Sequence, residues 1–175
     1  ALLKRAKCRV GDISSEEYNN GTFKPLASDS DSLDGLNIHC ALLDEIHQWK
    51  AGKALYDILA DGVSARTQPL IYVTSTAGTI REDIYDQKYD ESERIINGLY
   101  DPSGYKDIHV FPFIYELDER KEWTDERAWY KANPNLGVTK KLSYLKSKAA
   151  KALSDATQVK NLVCKEFNIR ETSSE

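Results

Sequence analysis

Two acidic residues directly follow a short apolar run, and their position carries the clearest chemical signal in the sequence. The run is 38–43, and Asp44 and Glu45 come next. If 38–43 is a buried strand of a parallel sheet, both carboxylates lie at its carboxyl edge, where α/β proteins bind ligands. In nucleotide hydrolases the first such acid holds Mg²⁺, and the second orients or deprotonates the attacking water. The alternative is structural: Asp44 caps the following helix and Glu45 favours its positive N-terminal end.

A hydroxyl-rich segment, 74–78, follows the next apolar run, 70–73. The hydroxyls of Ser75 and Thr76 could hydrogen-bond a terminal phosphate, or a carboxylate that senses it. The alternative is a loop in which Ser and Thr bond the local backbone. Two neighbouring strands that both end in polar groups strengthen the functional interpretation of each.

Two arginines, Arg66 and Arg81, flank this second apolar run. An arginine beside a transferring phosphoryl group stabilises its charge, so both are candidates for phosphate sensing. The alternative is a solvated surface position. The histidines His39, His47 and His109 have no partner at metal-ligand spacing, which favours packed or exposed histidines over ligands.

The elements that must position these residues alternate between strand and helix. Apolar periodicity predicts strands at 38–43, 70–73 and 108–115 and helices at about 46–63 and 82–96. Gly52 is a candidate interruption of the first helix, and Pro112 argues that the third strand is an edge or carries a bulge. Alternation of this kind predicts an α/β fold with a three-layer, parallel-sheet core. A further short strand is predicted at 22–26.

From Thr124 onward the pattern becomes helical. Helices are predicted at 125–131, 143–153 and 156–167, and Asp155 with Gln158 resembles a capping box for the last of them. The predicted organisation is therefore an α/β part, 1–122, followed by a helical subdomain, 123–175.

The net charge of the chain limits how it could bind nucleic acid. Lys and Arg total 24 and Asp and Glu total 28, a net charge of −4, so the strong basic excess of a compact nucleic-acid binder is missing and any DNA contact must be local. The one candidate surface is a lysine-rich stretch of the helical part, for which a solvated helix face is the alternative. It contains Lys140, Lys141, Lys146, Lys148 and Lys151.

The phosphate-cradling motif Gly-x-x-x-x-Gly-Lys-Ser/Thr does not occur in the sequence. Half of a nucleotide site without that loop and its lysine does not hold a triphosphate tightly. The chain also begins at Ala1 and contains no Met. We therefore expect it to be a piece of a longer protein.

Five segments, in order and at similar spacing, resemble the terminase large subunit of tailed bacteriophages. They are 23–37 (FKPLASDSDSLDGLN), 40–47 (CALLDEIH), 65–69 (ARTQP), 75–78 (STAG) and 131–137 (KANPNLG). That family is a DNA-packaging motor, with a P-loop ATPase that drives the genome into the capsid and a metal-dependent nuclease that cuts concatemeric DNA.

The resemblance implies roles for particular residues. Asp44 matches the Walker B acid that binds Mg²⁺, Glu45 the catalytic glutamate, and Ser75 and Thr76 the motif that couples hydrolysis to movement. It further implies ATP and Mg²⁺ as substrate and cofactor, and double-stranded DNA, the portal protein and the small terminase subunit as partners. A homo-oligomeric ring in the cytoplasm of the infected or lysogenic host is also implied.

The same resemblance implies what the chain lacks. The Walker A loop would lie upstream of Ala1 and the nuclease acids downstream of Glu175. Residues 1–122 would then be the distal half of the P-loop ATPase core, and 123–175 a lid or linker leading to the nuclease. We expect little or no ATPase or nuclease activity from this piece alone. Two alternatives stay open: a helicase-like ATPase of another family, and an interaction module that kept the fold without the chemistry.

Overall fold

The computed structural model describes residues 5–17, 20–26, 33, 35–79 and 82–172. Most of the acidic loop at 27–34 and the candidate Arg81 lie outside these described residues.

Short strands precede a mixed α/β region, and helices follow it. The strands are β1 (Lys7–Cys8), β2 (Ile13–Ser15), β3 (Gly21–Phe23), β4 (Cys40–Asp44) and β5 (Leu70–Thr74). The α-helices are α1 (Gly52–Asp61), α2 (Ile84–Gly98), α3 (Trp129–Ala132), α4 (Leu142–Ser154) and α5 (Thr157–Phe167). Two 3₁₀ helices, Ile46–Gln48 and Arg120–Thr124, complete the regular structure of the described residues.

The strands β4 and β5 pair in parallel, as the alternation of strand and helix predicts. Their register sets Cys40 opposite Leu70 and Asp44 opposite Thr74, so both strands end at the same edge. Successive side chains of a strand point to opposite faces. Ala41 and Leu43 are buried accordingly.

The buried face of this pair packs on α1 and the start of α2. Its apolar core contains Leu33, Ala41, Leu43, Ile46, Leu55, Leu59 and Ile84. The opposite face is exposed, with Leu42 at 57% and Tyr72 at 55% of full exposure. The mixed α/β class is thus confirmed, whereas helices on both faces of the sheet are not present among the described residues.

The third predicted strand, 108–115, does not form, and this prediction is wrong for the structure. Pro112 has no N–H to give a strand ladder. The start of the segment forms a turn instead. The Val110 N–H donates to the backbone carbonyl of Asp107, and the His109 N–H donates to the Asp107 carboxylate. The alternating apolar residues that suggested a strand are Phe111 and Phe113, both exposed.

Near the N-terminus, β1, β2 and β3 form a small antiparallel sheet. The strand predicted at 22–26 appears as β3 (Gly21–Phe23), preceded by Asn20 in the left-handed region at φ 57°. Apolar periodicity gives no signal for β1 and β2, because they are short and largely polar.

The helical part has its own apolar core around Leu117, Trp129, Leu145 and Phe167. The predicted helices at 143–153 and 156–167 are confirmed as α4 and α5 to within one residue at each end. The helix predicted at 125–131 is wrong in extent: α3 begins only at Trp129, because the Asp125 carboxylate accepts the Arg127 N–H in a local turn. No described helix is both long and apolar enough to cross a bilayer.

The capping interaction predicted at the start of α5 is only half formed. The Asp155 carboxylate accepts the backbone N–H of Thr157 at 3.0 Å. Gln158 donates its amide to the other Asp155 oxygen at 2.9 Å, instead of returning to the backbone as a capping box requires.

Candidate active site at the strand ends

The carboxylate of Asp44 lies at the carboxyl end of β4, beside the end of β5. Because the register sets Thr74 opposite Asp44, the Thr74 hydroxyl reaches across and donates to Asp44 Oδ1 at 2.7 Å. A hydroxyl donor fixes the carboxylate without neutralising it, and both side chains remain exposed. The sequence pattern does not single out Thr74, whose role depends on the strand register.

Glu45 follows immediately, with its backbone in the left-handed region at φ 54°, ψ 41°. A side chain with a β-carbon is disfavoured there by about 1–2 kcal/mol, so surrounding contacts must hold it. The Glu45 N–H donates to the Thr74 carbonyl at 2.8 Å, and the Gln48 side-chain amide donates to Glu45 Oε2 at 3.0 Å. The carboxylate stays partly open to solvent, with 44% of the side chain exposed.

The side chain of His47 joins this edge of the sheet to the hydroxyl loop. Its backbone N–H donates to Ser75 Oγ at 3.2 Å, and its Nδ1 lies 3.0 Å from the same oxygen. Its Nε2 faces Glu45 Oε2 at 3.6 Å, which is ion-pair distance and longer than a hydrogen bond. The sequence predicts a packed or exposed histidine, and His47 is packed, but nothing in the sequence pattern indicates its contacts with Ser75 and Glu45.

The loop after β5 brings Ser75 to the acids and continues away from them. Thr76 is half-buried, and its carbonyl oxygen lies 3.4 Å from Ser75 Oγ. The next residue, Ala77, contacts the end of α5: its N–H donates to Asn168 Oδ1 at 3.4 Å, and its carbonyl accepts from Cys164 Sγ at 3.5 Å.

Of the two candidate arginines, Arg66 is not brought to this edge. It precedes β5, and its guanidinium donates to the Asn37 carbonyl at 2.9 Å, at the amino ends of the strands. The acids lie at the opposite ends of the same strands. Arg81 is outside the described residues. The structure therefore joins Asp44, Glu45 and Ser75 and leaves Arg66 apart.

Three lysines of the lysine-rich stretch, Lys140, Lys146 and Lys148, form ion pairs with acids of this chain. Glu166, with 8% of its side chain exposed, pairs with Lys140 at 2.7 Å and also with Lys148. Lys146 pairs with Glu126 at 2.8 Å. Burial works to raise the pKa of Glu166, but the two lysines outweigh burial and the net effect lowers it. Lys140 and Lys148, which are half-buried beside Glu166, therefore form part of the helical packing, whereas Lys146 stays exposed.

The acids at the strand ends fit a magnesium site of the kind that phosphates complete. Mg²⁺ is commonly held by one or two carboxylates, waters and substrate phosphates instead of an all-protein cage. Asp44 with the hydroxyl of Thr74 provides such a donor set. No group of three or more His, Cys, Asp or Glu side chains that could hold a metal ion assembles within the described ranges.

Comparison with known protein families settles the family. The model of the terminase large subunit ATPase domain matches residues 3–94, more than half of the chain. The chain belongs to the terminase large subunit family. The model of the family's endonuclease domain matches residues 105–175 of this terminase chain. That second match covers the segment for which the sequence predicts a lid or linker, and the boundary at 122 stays a prediction.

Two similar proteins extend the comparison. Protein YmfN of Escherichia coli (strain K12) is 36% identical over 137 residues, which are 78% of this chain and 29% of that protein. The crystal structure of the HK97 bacteriophage large terminase superposes with a TM-score of 0.77 at 21% identity, over 97% of this chain and 34% of that one. The terminase chain thus shares the HK97 fold over nearly its whole length and spans about a third of the length of these proteins.

Proposed function

We propose that this terminase chain supplies the metal-binding acid, the water-orienting acid and the coupling loop of an ATPase that packages phage DNA. One observation carries the proposal: Asp44, Glu45 and Ser75 meet at the common edge of two parallel strands. Membership of the terminase family supports it over a helicase-like ATPase of another family. The presence of both acids argues against an interaction module without chemistry.

In this proposal the residues of the chain divide the work on ATP. Asp44, oriented by the Thr74 hydroxyl, would hold Mg²⁺, which when bound neutralises phosphate charge. Glu45 would orient a water molecule for attack on the terminal phosphorus and accept its proton, a role for which its exposed, fixed carboxylate is suited. The phosphate-cradling motif does not occur within 1–175, so these residues account for only one side of the nucleotide.

We further propose that 75–79 is the coupling loop, with Ser75 and Thr76 as its sensing residues. Ser75 is joined through His47 to the acids, and Ala77 contacts the end of α5. A loop held at both ends in this way can pass a change at the nucleotide to the helical part. The proposed division, 1–122 and 123–175, comes close to the separation of the two apolar cores, although the helical core also includes Leu117 from the first part.

The partners of the whole large subunit enter the proposal through the family alone. They are double-stranded DNA, the portal protein, the small subunit and further copies in a ring. The pairing of Lys140, Lys146 and Lys148 with acids of the chain argues against α4 as the DNA-binding surface. DNA cutting is likewise a property we assign to the whole subunit, not to the described residues.

The experiment that tests the proposal is Glu45→Gln in the whole large subunit. Without the carboxylate, turnover of ATP should fall by about 100-fold or more, because general-base contributions are of that order. Equilibrium binding of ATP should be unchanged, since Glu45 is assigned no contact with the bound phosphates. Asp57→Asn is the matched control, because Asp57 is an exposed carboxylate on α1 that pairs with Lys53. Normal turnover in Glu45→Gln would remove Glu45 from the chemistry.

A further inference from the structure

One imidazole, that of His47, faces both the water-orienting acid and the coupling loop. Its Nδ1 is 3.0 Å from Ser75 Oγ, and its Nε2 is 3.6 Å from Glu45 Oε2. When Nδ1 accepts the Ser75 hydroxyl proton, Nε2 carries the ring proton and directs it at the carboxylate. The two contacts are therefore compatible in a single neutral tautomer.

The ring has little freedom to turn. Only 13% of the His47 side chain is exposed. On one side it lies against Gly78, where a β-carbon would come within 2.9 Å of His47 Cδ2. On another side the Tyr85 ring meets it edge-on, with centroids 6.1 Å apart. A shift of the loop that moves Ser75 or Gly78 must therefore move the imidazole, and with it the contact to Glu45.

The loop is tied to the helical part just beyond these contacts. Ala77 bonds Asn168 and Cys164, and Thr79 forms a bridge with Glu171. The Asn168 amide also donates to the Tyr115 carbonyl at 2.8 Å. From Glu45 to the end of α5, each connection is thus a direct contact.

We propose that His47 is a positioning residue that couples the orientation of the Glu45 carboxylate to the position of loop 75–79. This inference rests on the proposed function, because it gives Glu45 the hydrolytic role. The ring holds the carboxylate for water through Nε2 and holds the loop through Nδ1. Loss of the first contact slows hydrolysis, and loss of the second uncouples hydrolysis from movement.

Two substitutions separate the two contacts. In His47→Asn, the short amide reaches about as far as Nδ1, so the bond to Ser75 is retained and the contact with Glu45 is lost. In His47→Gln, the longer amide reaches towards the Nε2 position, so the contact with Glu45 is retained and Ser75 loses its side-chain partner. Ser75→Ala removes the loop contact from the other side with a minimal change of volume.

The experiment measures ATP turnover and DNA packaged per ATP with the whole large subunit and its motor partners. For His47→Asn we expect kcat to fall about tenfold, with KM and DNA packaged per ATP unchanged, because the 3.6 Å contact with Glu45, which would tighten to a hydrogen bond when the substrate is bound, is lost. For His47→Gln and Ser75→Ala we expect a smaller fall of kcat than in His47→Asn, and about tenfold less DNA packaged per ATP. The double variant His47→Gln/Ser75→Ala should be no worse than either single variant, because both remove the same contact.

His39→Asn is the matched control, since His39 is exposed and precedes β4 at the opposite end of the strand. Equal losses of kcat and packaging yield in both His47 variants, or additive losses in the double variant, would overturn the inference. If the His47 variants fail to fold, Ser75→Ala alone decides: an unchanged yield of DNA per ATP would overturn it as well. Glu45→Gln is measured in the same experiment. Normal turnover in that variant would contradict the proposed function. Abolished turnover in Glu45→Gln, together with unaffected His47 and Ser75 variants, would contradict only the present inference.

Discussion

At the scale of single residues, the site depends on one carboxylate whose orientation comes from a neighbouring strand. Asp44 is exposed, yet its Oδ1 is held by the Thr74 hydroxyl at 2.7 Å. A preoriented carboxylate loses little freedom when a cation binds, which favours affinity. The metal dependence of the whole subunit should therefore respond both to the charge of Asp44 and to the hydroxyl beside it.

The change Asp44→Asn should raise the Mg²⁺ concentration needed for half-maximal ATP turnover by about tenfold or more, because it removes the charge that attracts the cation. Thr74→Val keeps the shape and removes the hydroxyl, so it should give a smaller shift in the same direction. A Mg²⁺ titration of ATPase activity measures both, with Asp57→Asn as the control. A titration curve unaltered in Asp44→Asn would exclude Asp44 as the metal-binding acid.

The site residues differ in how far the sequence predicts them. Asp44, Glu45 and Ser75 follow apolar runs, and a parallel sheet brings the ends of such runs to one edge, so their proximity is predictable. The contacts of Thr74 and His47 are not, because they depend on strand register and on a left-handed turn at Glu45. A glutamate does not by itself indicate a positive φ. At Glu45 the positive φ is imposed by the neighbouring contacts.

At the scale of elements, the start of α2 secures the start of α1. The Asp83 carboxylate accepts N–H groups from Gly52 at 3.0 Å and Lys53 at 2.9 Å, and also caps its own helix through the Ile84 N–H at 2.7 Å. Gly52 allows this close approach, since a β-carbon there would lie 2.5 Å from Ile84 Cγ2. One side chain thus accepts hydrogen bonds from the first amides of two helices and links their N-termini.

Replacing Asp83 by Ala should lower the free energy of unfolding by about 2–3 kcal/mol, because two helix N-termini lose their acceptor at once. Asp83→Asn keeps an acceptor oxygen and should cost about half as much. Denaturant unfolding measures both, and Glu93→Gln, an exposed position on α2, is the control. A loss in Asp83→Ala no larger than in the control would show that solvent replaces the carboxylate without cost.

The elements themselves were predictable where local pattern and packing agree. The strands β4 and β5 and the helices α2, α4 and α5 follow their apolar periodicity to within a few residues. The segment 108–115 has the same alternation but no strand neighbour in the described structure, and Pro112 weakens any ladder it could join. A strand forms only when its backbone is hydrogen-bonded to a second strand. The alternation of apolar residues along one segment does not show whether such a second strand is present.

A second contact between elements is the partly buried cluster of charged side chains that joins α5 to the turn before α4. The Asn133 side chain donates to the Glu166 carbonyl at 2.8 Å, and Lys140 donates to Asn133 Oδ1 at 2.6 Å while pairing with the Glu166 carboxylate. The lowered pKa of Glu166 means that its ionised form stabilises the fold. This contribution is complete above the unfolded pKa, about 4.3, and is lost as pH falls through the lower pKa of the folded state.

The change Glu166→Gln should therefore lower the free energy of unfolding at pH 7 by about 2 kcal/mol, since it leaves the two lysines without a counter-charge in a partly buried site. Below about pH 4 the difference between wild type and variant should shrink, because the wild type then protonates Glu166. Urea unfolding at pH 7, 5 and 3 measures this, with Glu126→Gln as an exposed control. A difference that is the same at all three pH values would contradict the assigned role.

At the scale of the whole molecule, two apolar cores are joined by the segment that follows α5. Arg170 stacks its guanidinium 3.8 Å from the centroid of the Tyr89 ring and lies 3.2 Å from Asp90 and 3.5 Å from the buried Asp86, all on α2. Tyr89 in turn donates to Glu116, and burial raises the pKa of both groups. The contact that Arg170 makes between the two parts is therefore polar, with the guanidinium stacked on an aromatic ring.

Removing Arg170 should consequently uncouple the two cores instead of unfolding either one. In Arg170→Ala we expect amide hydrogen exchange to increase in α2 and in loop 75–79, while α4 and the first turns of α5 keep their protection, because their core around Leu145 and Phe167 is untouched. Arg170→Lys keeps the charge but not the planar stack, so it should restore only part of the protection. Lys165→Ala, an exposed change near the end of α5, is the control. Hydrogen exchange by mass spectrometry measures all three variants. A uniform increase of exchange across both cores in Arg170→Ala would mean that the chain unfolds as one unit and that Arg170 does not join two separate cores.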